Sequence, residues 1–116
     1  MGKRQGVSNP SKAKGDRAEL EVQGMWRDHT GIYARRALGA GRKDDMGDIT
    51  GIPHTVCQVA NRKDIAAAVR AKPLEAERQR LEAGVPFACT FLRLRGGEYR
   101  VVMTPEQFYA MWRETR

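Results

Sequence analysis

The chain has 116 residues, 41% of them hydrophobic, with a formal net charge of +7 and a pI near 9.9. That length allows one domain with a modest core, and no apolar run approaches the roughly 20 residues needed to span a bilayer, so no membrane-spanning helix and no membrane partner are expected. The basic excess favours a polyanionic partner, most simply nucleic acid, because it is clustered: five Lys/Arg against one acid up to Arg17, then Arg35, Arg36, Arg42 and Lys43 with no acid among them.

The opening "MGKRQGVSNPSKAKG" has no apolar stretch and is not read as a secretory signal. Its Gly, Ser, Asn and Pro content predicts a flexible basic arm over residues 1–15, ahead of a single domain at 16–116. From 17 to about 28, Ala18, Val22, Met25 and Trp26 recur at helical spacing, and Thr30-Gly31 should close that helix. "IYARRAL" (32–38) has strand character, and "GAGRKDDMG" (39–47) is a glycine-rich charged loop. Two strands follow, "DITGI" (48–52) and "TVCQVAN" (55–61), joined at Pro53-His54. On the second, Val56, Gln58 and Ala60 share one face while Cys57, Val59 and Asn61 share the other.

Residues 64–84 are helical in composition, with Pro73 expected to break or kink the helix near Lys72 and Gly84 to end it. "FACTFLRLR" (87–95) and "EYRVVM" (98–103) predict a hairpin around Gly96-Gly97. The last helix opens with Thr104 as N-cap, Pro105 at its first position and Gln107 completing a capping box; its stripe of Phe108, Met111 and Trp112 reads as core packing. The order αβββαββα predicts an α/β domain, a mixed sheet flanked by helices. Cys57 and Cys89, far apart and each in an apolar stretch, read as buried thiols in a reducing cytoplasm. Two His and no close Cys pair argue against a zinc site.

Several polar residues fall where that scaffold could gather them. Asp48 opens a strand, and the strand that folds back beside it carries Gln58 and ends in Asn61, Arg62 and Lys63. Phosphodiester hydrolysis by a divalent cation needs hard oxygen ligands and open positions for water and phosphate. Asp48, Glu19, the Gln58 amide oxygen and the Val59 carbonyl are candidate ligands for Mg2+ or Mn2+. Lys12 and Lys14 in the arm, Arg35, Arg36, Arg42 and Lys43 around the glycine loop, and Arg62 are candidate phosphate contacts. Plainer readings stand beside these: Asp48 as a turn cap, Glu19 on a solvated helix face, Gln58 as a hydrogen-bonded sheet residue, Asp44 and Asp45 pairing with Arg42 and Lys43, and His54 as a turn residue.

With those residues in place, the chain resembles the PD-(D/E)xK nuclease superfamily, and within it the Holliday junction resolvases of archaeal and actinophage type. "KGDRAELEV" resembles the family's opening helix, where a Lys-Gly pair precedes a Glu, here Glu19. "ARRALGAGRKDDMGDITGIP" resembles its basic, glycine-containing approach to the metal aspartate, here Asp48. "VCQVANRK" occupies the place of the strand bearing Glu-x-Lys, with Gln58 where the acid falls and Ala60 where the lysine falls. The likeness spans about residues 10–65, and beyond that only element order agrees. It implies a restriction-endonuclease-like fold and a magnesium-dependent endonuclease acting as a homodimer on branched or double-stranded DNA, with Glu19, Asp48, Gln58 and a displaced lysine, Lys63, as catalytic residues. It places the protein in the cytoplasm, that of a bacterial host if phage-encoded. Because Gln58 carries no charge and Ala60 no cation, the alternatives are a catalytically inactive DNA-binding module or a phage structural or assembly protein keeping the fold.

Overall fold

A computed structural model describes residues 10–37 and 47–116, with side chains from Lys12 onward. Its elements are α1 (Pro10–Thr30), β1 (Arg35–Arg36), β2 (Ile49–Thr50), β3 (Thr55–Ala60), α2 (Ile65–Ala83), β4 (Phe87–Arg93), β5 (Tyr99–Val102) and α3 (Pro105–Arg113). This is the expected order. The five strands form one mixed sheet in sequence order, with β3 and β4 parallel and the other neighbours antiparallel.

The sheet separates two apolar layers. Ala18 and Val22 of α1 pack with Cys57, Val59 and Cys89 on one face. On the other, Ala76 of α2 packs with Val56 and Ala88, and Ala68 of α2 with Ala60 and Leu92. The split follows the alternation of β3, and small residues on α2 let the helix lie close to the sheet. α2 is the connection between the two parallel strands, which cannot be joined by a tight turn.

Four expectations are corrected here. α1 begins at Pro10, so the arm boundary at 15/16 falls inside a helix, and Lys12 and Lys14 are helical; proline suits a helix start, where its missing N–H has no partner to lose. Pro73 does not break α2, which runs unbroken through it. The carbonyl deprived of its i+4 partner is that of Val69, an exposed residue, so water can take the place of the lost N–H. Thr104 caps α3 by accepting from the Gln107 N–H at 3.1 Å, but the capping box is not closed: Gln107 Oε1, which would accept the Thr104 N–H, has no hydrogen-bond partner among the described residues, and Nε2 donates to Glu77 Oε2 at 2.8 Å, tying α3 to α2. The α3 stripe is not core either, for Phe108 is 56% and Trp112 51% exposed, and Gln107 is the buried residue of that helix.

Other local signals hold. Gly84 caps α2 in the left-handed conformation, φ 73°, with its N–H directed to the Arg80 and Leu81 carbonyls. The β4–β5 turn passes through Gly96 and Gly97, both at φ 91°, closed by Leu94 N–H to the Glu98 carbonyl at 2.6 Å. His54 sits in the β2–β3 connection at φ 61°, the turn role expected of it.

Candidate functional site

Gly47 and Asp48 are locked onto β3. Gly47 bridges Cys57 at φ 90°, and a Cβ there would stand 2.8 Å from the Cys57 carbonyl oxygen and 3.0 Å from Val56 Cγ1, so the close approach requires glycine. The Asp48 N–H then donates to the Cys57 carbonyl at 2.9 Å, and the Asp48 carbonyl accepts from Ala37 N–H at 2.8 Å. The Asp48 carboxylate accepts from the Val59 N–H through Oδ2 at 2.8 Å. Asp48 is therefore more than a turn cap: backbone bonds to both neighbouring segments fix where its side chain lies.

That side chain helps to line a cleft of about 780 Å³, shared with Lys12, Lys14 and Glu19 of α1, Val59 of β3, Arg62 and Lys63 just beyond it, and Lys72 of α2. Two carboxylates thus sit in one cavity rimmed by cations. Burial pushes the Glu19 carboxyl above its ordinary value; the Arg36 guanidinium opposes this, and the negative charge of Asp48 adds to it. Arg36 donates to Glu19 Oε1 from Nε at 3.1 Å and from Nη2 at 3.0 Å, and to Asp16 Oδ1 at 2.6 Å. Asp16 lies below its ordinary value, through the hydrogen bond from Lys12 first and the nearby Arg36 charge after it.

Of the residues anticipated for chemistry, Glu19, Asp48, Val59 and Lys63 meet in this cleft. Gln58 does not. It is 3% exposed on the opposite face of the sheet, where Nε2 donates to Gln79 Oε1 of α2 at 2.8 Å. Adjacent residues of a strand point to opposite faces, so the Val59 that meets Asp48 sends Gln58 toward α2, and Ala60 shares that buried side with Ala68 and Leu92. Gln58 is therefore corrected as a ligand beside Asp48; the buried sheet residue is what the geometry supports.

Of the anticipated phosphate contacts, Lys12, Lys14 and Arg62 line the cleft. Arg36 is spent on Asp16 and Glu19, and Arg35 is exposed on the edge strand β1, opposite Thr50. Arg42 and Lys43, with Asp44 and Asp45, lie outside the described residues. Lys72 was missed because the expected break at Pro73 hid its place, two turns into an unbroken helix facing the cleft; its Nζ lies 3.4 Å from Glu75 Oε1. Asn61 also lines the cleft and ties β3 to α1 by donating from Nδ2 to the Lys14 carbonyl at 3.0 Å.

No group of three or more His, Cys, Asp or Glu placed to hold a metal occurs among the described residues. Magnesium does not demand one, since it is commonly held by one or two carboxylates together with waters and substrate phosphates. The Asp48–Glu19 pair fits that donor set; Glu19 is raised chiefly by burial, with the negative charge of Asp48 adding to it. Among the described residues no helix is long and apolar enough to cross a membrane. No protein-family model, curated protein or solved structure matches the chain.

Proposed function

We propose that the protein binds nucleic acid in the Asp48 cleft, as a metal-dependent endonuclease of Holliday junction resolvase type with a restriction-endonuclease-like fold. The observation that carries this reading is the meeting of two carboxylates, Glu19 and Asp48, with Lys12, Lys14, Arg62, Lys63 and Lys72 in a single cavity. Cations at that density attract a phosphodiester backbone, and the carboxylates would repel it unless a divalent ion lay between.

Asp48 and Glu19 would hold Mg2+ or Mn2+, which when bound supplies a polarised water and neutralises charge on the phosphate. Lys63 is the cation that approaches the scissile phosphate from the end of β3, taking the role that Ala60 cannot fill from the other face. Lys12, Lys14 and Arg62 grip flanking phosphates. Val59 contributes a rigid wall, held by its N–H bond to Asp48. A homodimer on branched DNA belongs to this reading, since symmetric cutting of two strands needs two sites.

The second reading, a binding module without chemistry, is favoured by one fact: Arg36 already neutralises Glu19, leaving less charge for an ion. Cleavage assays on plasmid, linear and four-way-junction DNA, with Mg2+ and Mn2+, separate the two. Metal-dependent cutting abolished by Asp48→Asn supports the enzyme. Salt-sensitive binding with no cutting in either metal leaves the binding module. Absence of DNA binding removes both. Light scattering of the free protein and of its DNA complex checks the dimer.

A further inference from the structure

β3 and β4 are parallel neighbours, so their carboxyl ends lie side by side at one edge of the sheet. In open α/β sheets that edge is where ligands collect. Here each strand runs directly into basic sequence: Asn61-Arg62-Lys63 after β3, and Arg93-Leu94-Arg95 at the end of β4. Between these segments lies a second cavity of about 210 Å³, whose polar lining is Lys14, Asn61, Arg62, Lys63, Arg93 and Arg95. No carboxylate lines it.

The contrast with its neighbours assigns a chemistry. The Asp48 cleft carries two acids among its cations and suits a metal with a phosphate. A third groove along the start of α2 includes Asp64 and Glu75, and Asp64 already caps the helix by accepting from Ala67 N–H at 3.0 Å, so that helix end is closed to an anion. The second cavity has cations alone. Arg93 is braced there: its Nε donates to Glu21 Oε1 at 2.9 Å, and the Tyr99 hydroxyl donates to the same oxygen at 2.6 Å. Glu21 balances Arg93, whereas among the described residues no carboxylate pairs with Lys14, Arg62, Lys63 or Arg95.

We propose that this acid-free cavity at the β4–β5 turn is a second phosphate site, taking the nucleic-acid backbone that leaves the Asp48 cleft past Arg62 and Lys63 and reaches Arg95. The proposal rests on the nucleic-acid reading of the cleft, with which it shares Lys14, Arg62 and Lys63. Arg95 belongs to the second cavity and not to the cleft, which makes it the discriminating residue.

The test is the salt dependence of binding to a fluorescent DNA duplex, for the wild type, Arg95→Gln, and the control Arg113→Gln on α3. Each phosphate neutralised contributes about 0.9 to the slope of log affinity against log salt, so Arg95→Gln should lower the slope by about one and weaken binding about 5- to 10-fold near 0.1 M salt. Arg113→Gln should match the wild type, and all three should melt alike. Wild-type binding with an unchanged slope for Arg95→Gln overturns the second site while leaving the cleft reading intact. No wild-type binding overturns the cleft reading and this proposal with it. Inorganic phosphate, titrated at constant ionic strength, provides the last arm. If millimolar phosphate erases the difference between wild type and Arg95→Gln, the cavity serves a small anion and the backbone path is wrong.

Discussion

Replacing Ala60 by lysine puts back, by sequence position, the residue that the Glu-x-Lys pattern calls for, and the structure predicts that the change will fail. Ala60 is 1% exposed and packs against Ala68 and Leu92 under α2. A lysine there adds a long chain to a closed core, costing about 1–3 kcal/mol in overpacking. Its amine would be buried without a partner, costing about 1–3 kcal/mol more. A combined loss of about 2–6 kcal/mol lowers the melting temperature of a domain this size by roughly 8–24 °C. Placed beside the site instead, Asn61→Lys costs little: it forfeits the hydrogen bond to the Lys14 carbonyl, worth about 1 kcal/mol, and adds a cation to a cleft that already holds several. Thermal denaturation of the two variants, with DNA binding by anisotropy and Mg2+-dependent cleavage of a four-way junction, measures both effects. Ala60→Lys should melt far lower and gain no cleavage, while Asn61→Lys should melt near the wild type and bind DNA more tightly. An Ala60→Lys protein that melts normally and cuts DNA would refute the placement of the β3 faces.

Asp48→Ala should destabilise by about 1–3 kcal/mol in urea denaturation, because the Val59 N–H loses its acceptor, whereas Asp48→Asn keeps an oxygen there and should cost under about 1 kcal/mol. Glu19 lies above its ordinary value of 4.5, chiefly through burial, so its contribution to stability is fully present below that pH and is lost as pH rises through the folded value. Relative to Glu19→Gln, the wild type should therefore lose stability from about pH 4.5 upward in denaturation series, and saturating Mg2+ held by the two carboxylates should shrink or reverse that loss, because it favours the charged form of Glu19 in the folded state.

Most of the frame was legible because its signals are local. Thr104 and Gly84 mark helix ends, Gly96-Gly97 marks a turn, and the alternation of β3 sorts Val56, Gln58 and Ala60 from Cys57, Val59 and Asn61. Alternation states which residues share a face, but not which face holds the site. That depends on Gly47, whose close approach to Cys57 delivers Asp48 to Val59 rather than to Gln58. Such a contact is tertiary and leaves no periodic trace. The same limit hid Lys72 and Arg95, which reach neighbouring cavities from elements distant in sequence. Arg36 shows the reverse case: a cation that looked available is consumed by Glu19 and Asp16 across the fold.

Cys57 and Cys89 face each other in register on β3 and β4, both buried. A hydrogen bond with Cys89, and then burial, hold the Cys57 thiol well above its ordinary value, which suppresses the thiolate that alkylating reagents need. The pair lies on the sheet face covered by α1, packed with Ala18 and Val22, so a reagent reaches it when α1 lifts from the sheet. The protein thus carries an intrinsic probe of its own opening: thiol labelling in the native state, followed by mass, times the lifting of α1 from β3 and β4. The same helix brings Lys12, Lys14 and Glu19 to the Asp48 cleft, and a ligand bridging α1 to Arg62 and Lys63 should slow that labelling in proportion to its occupancy.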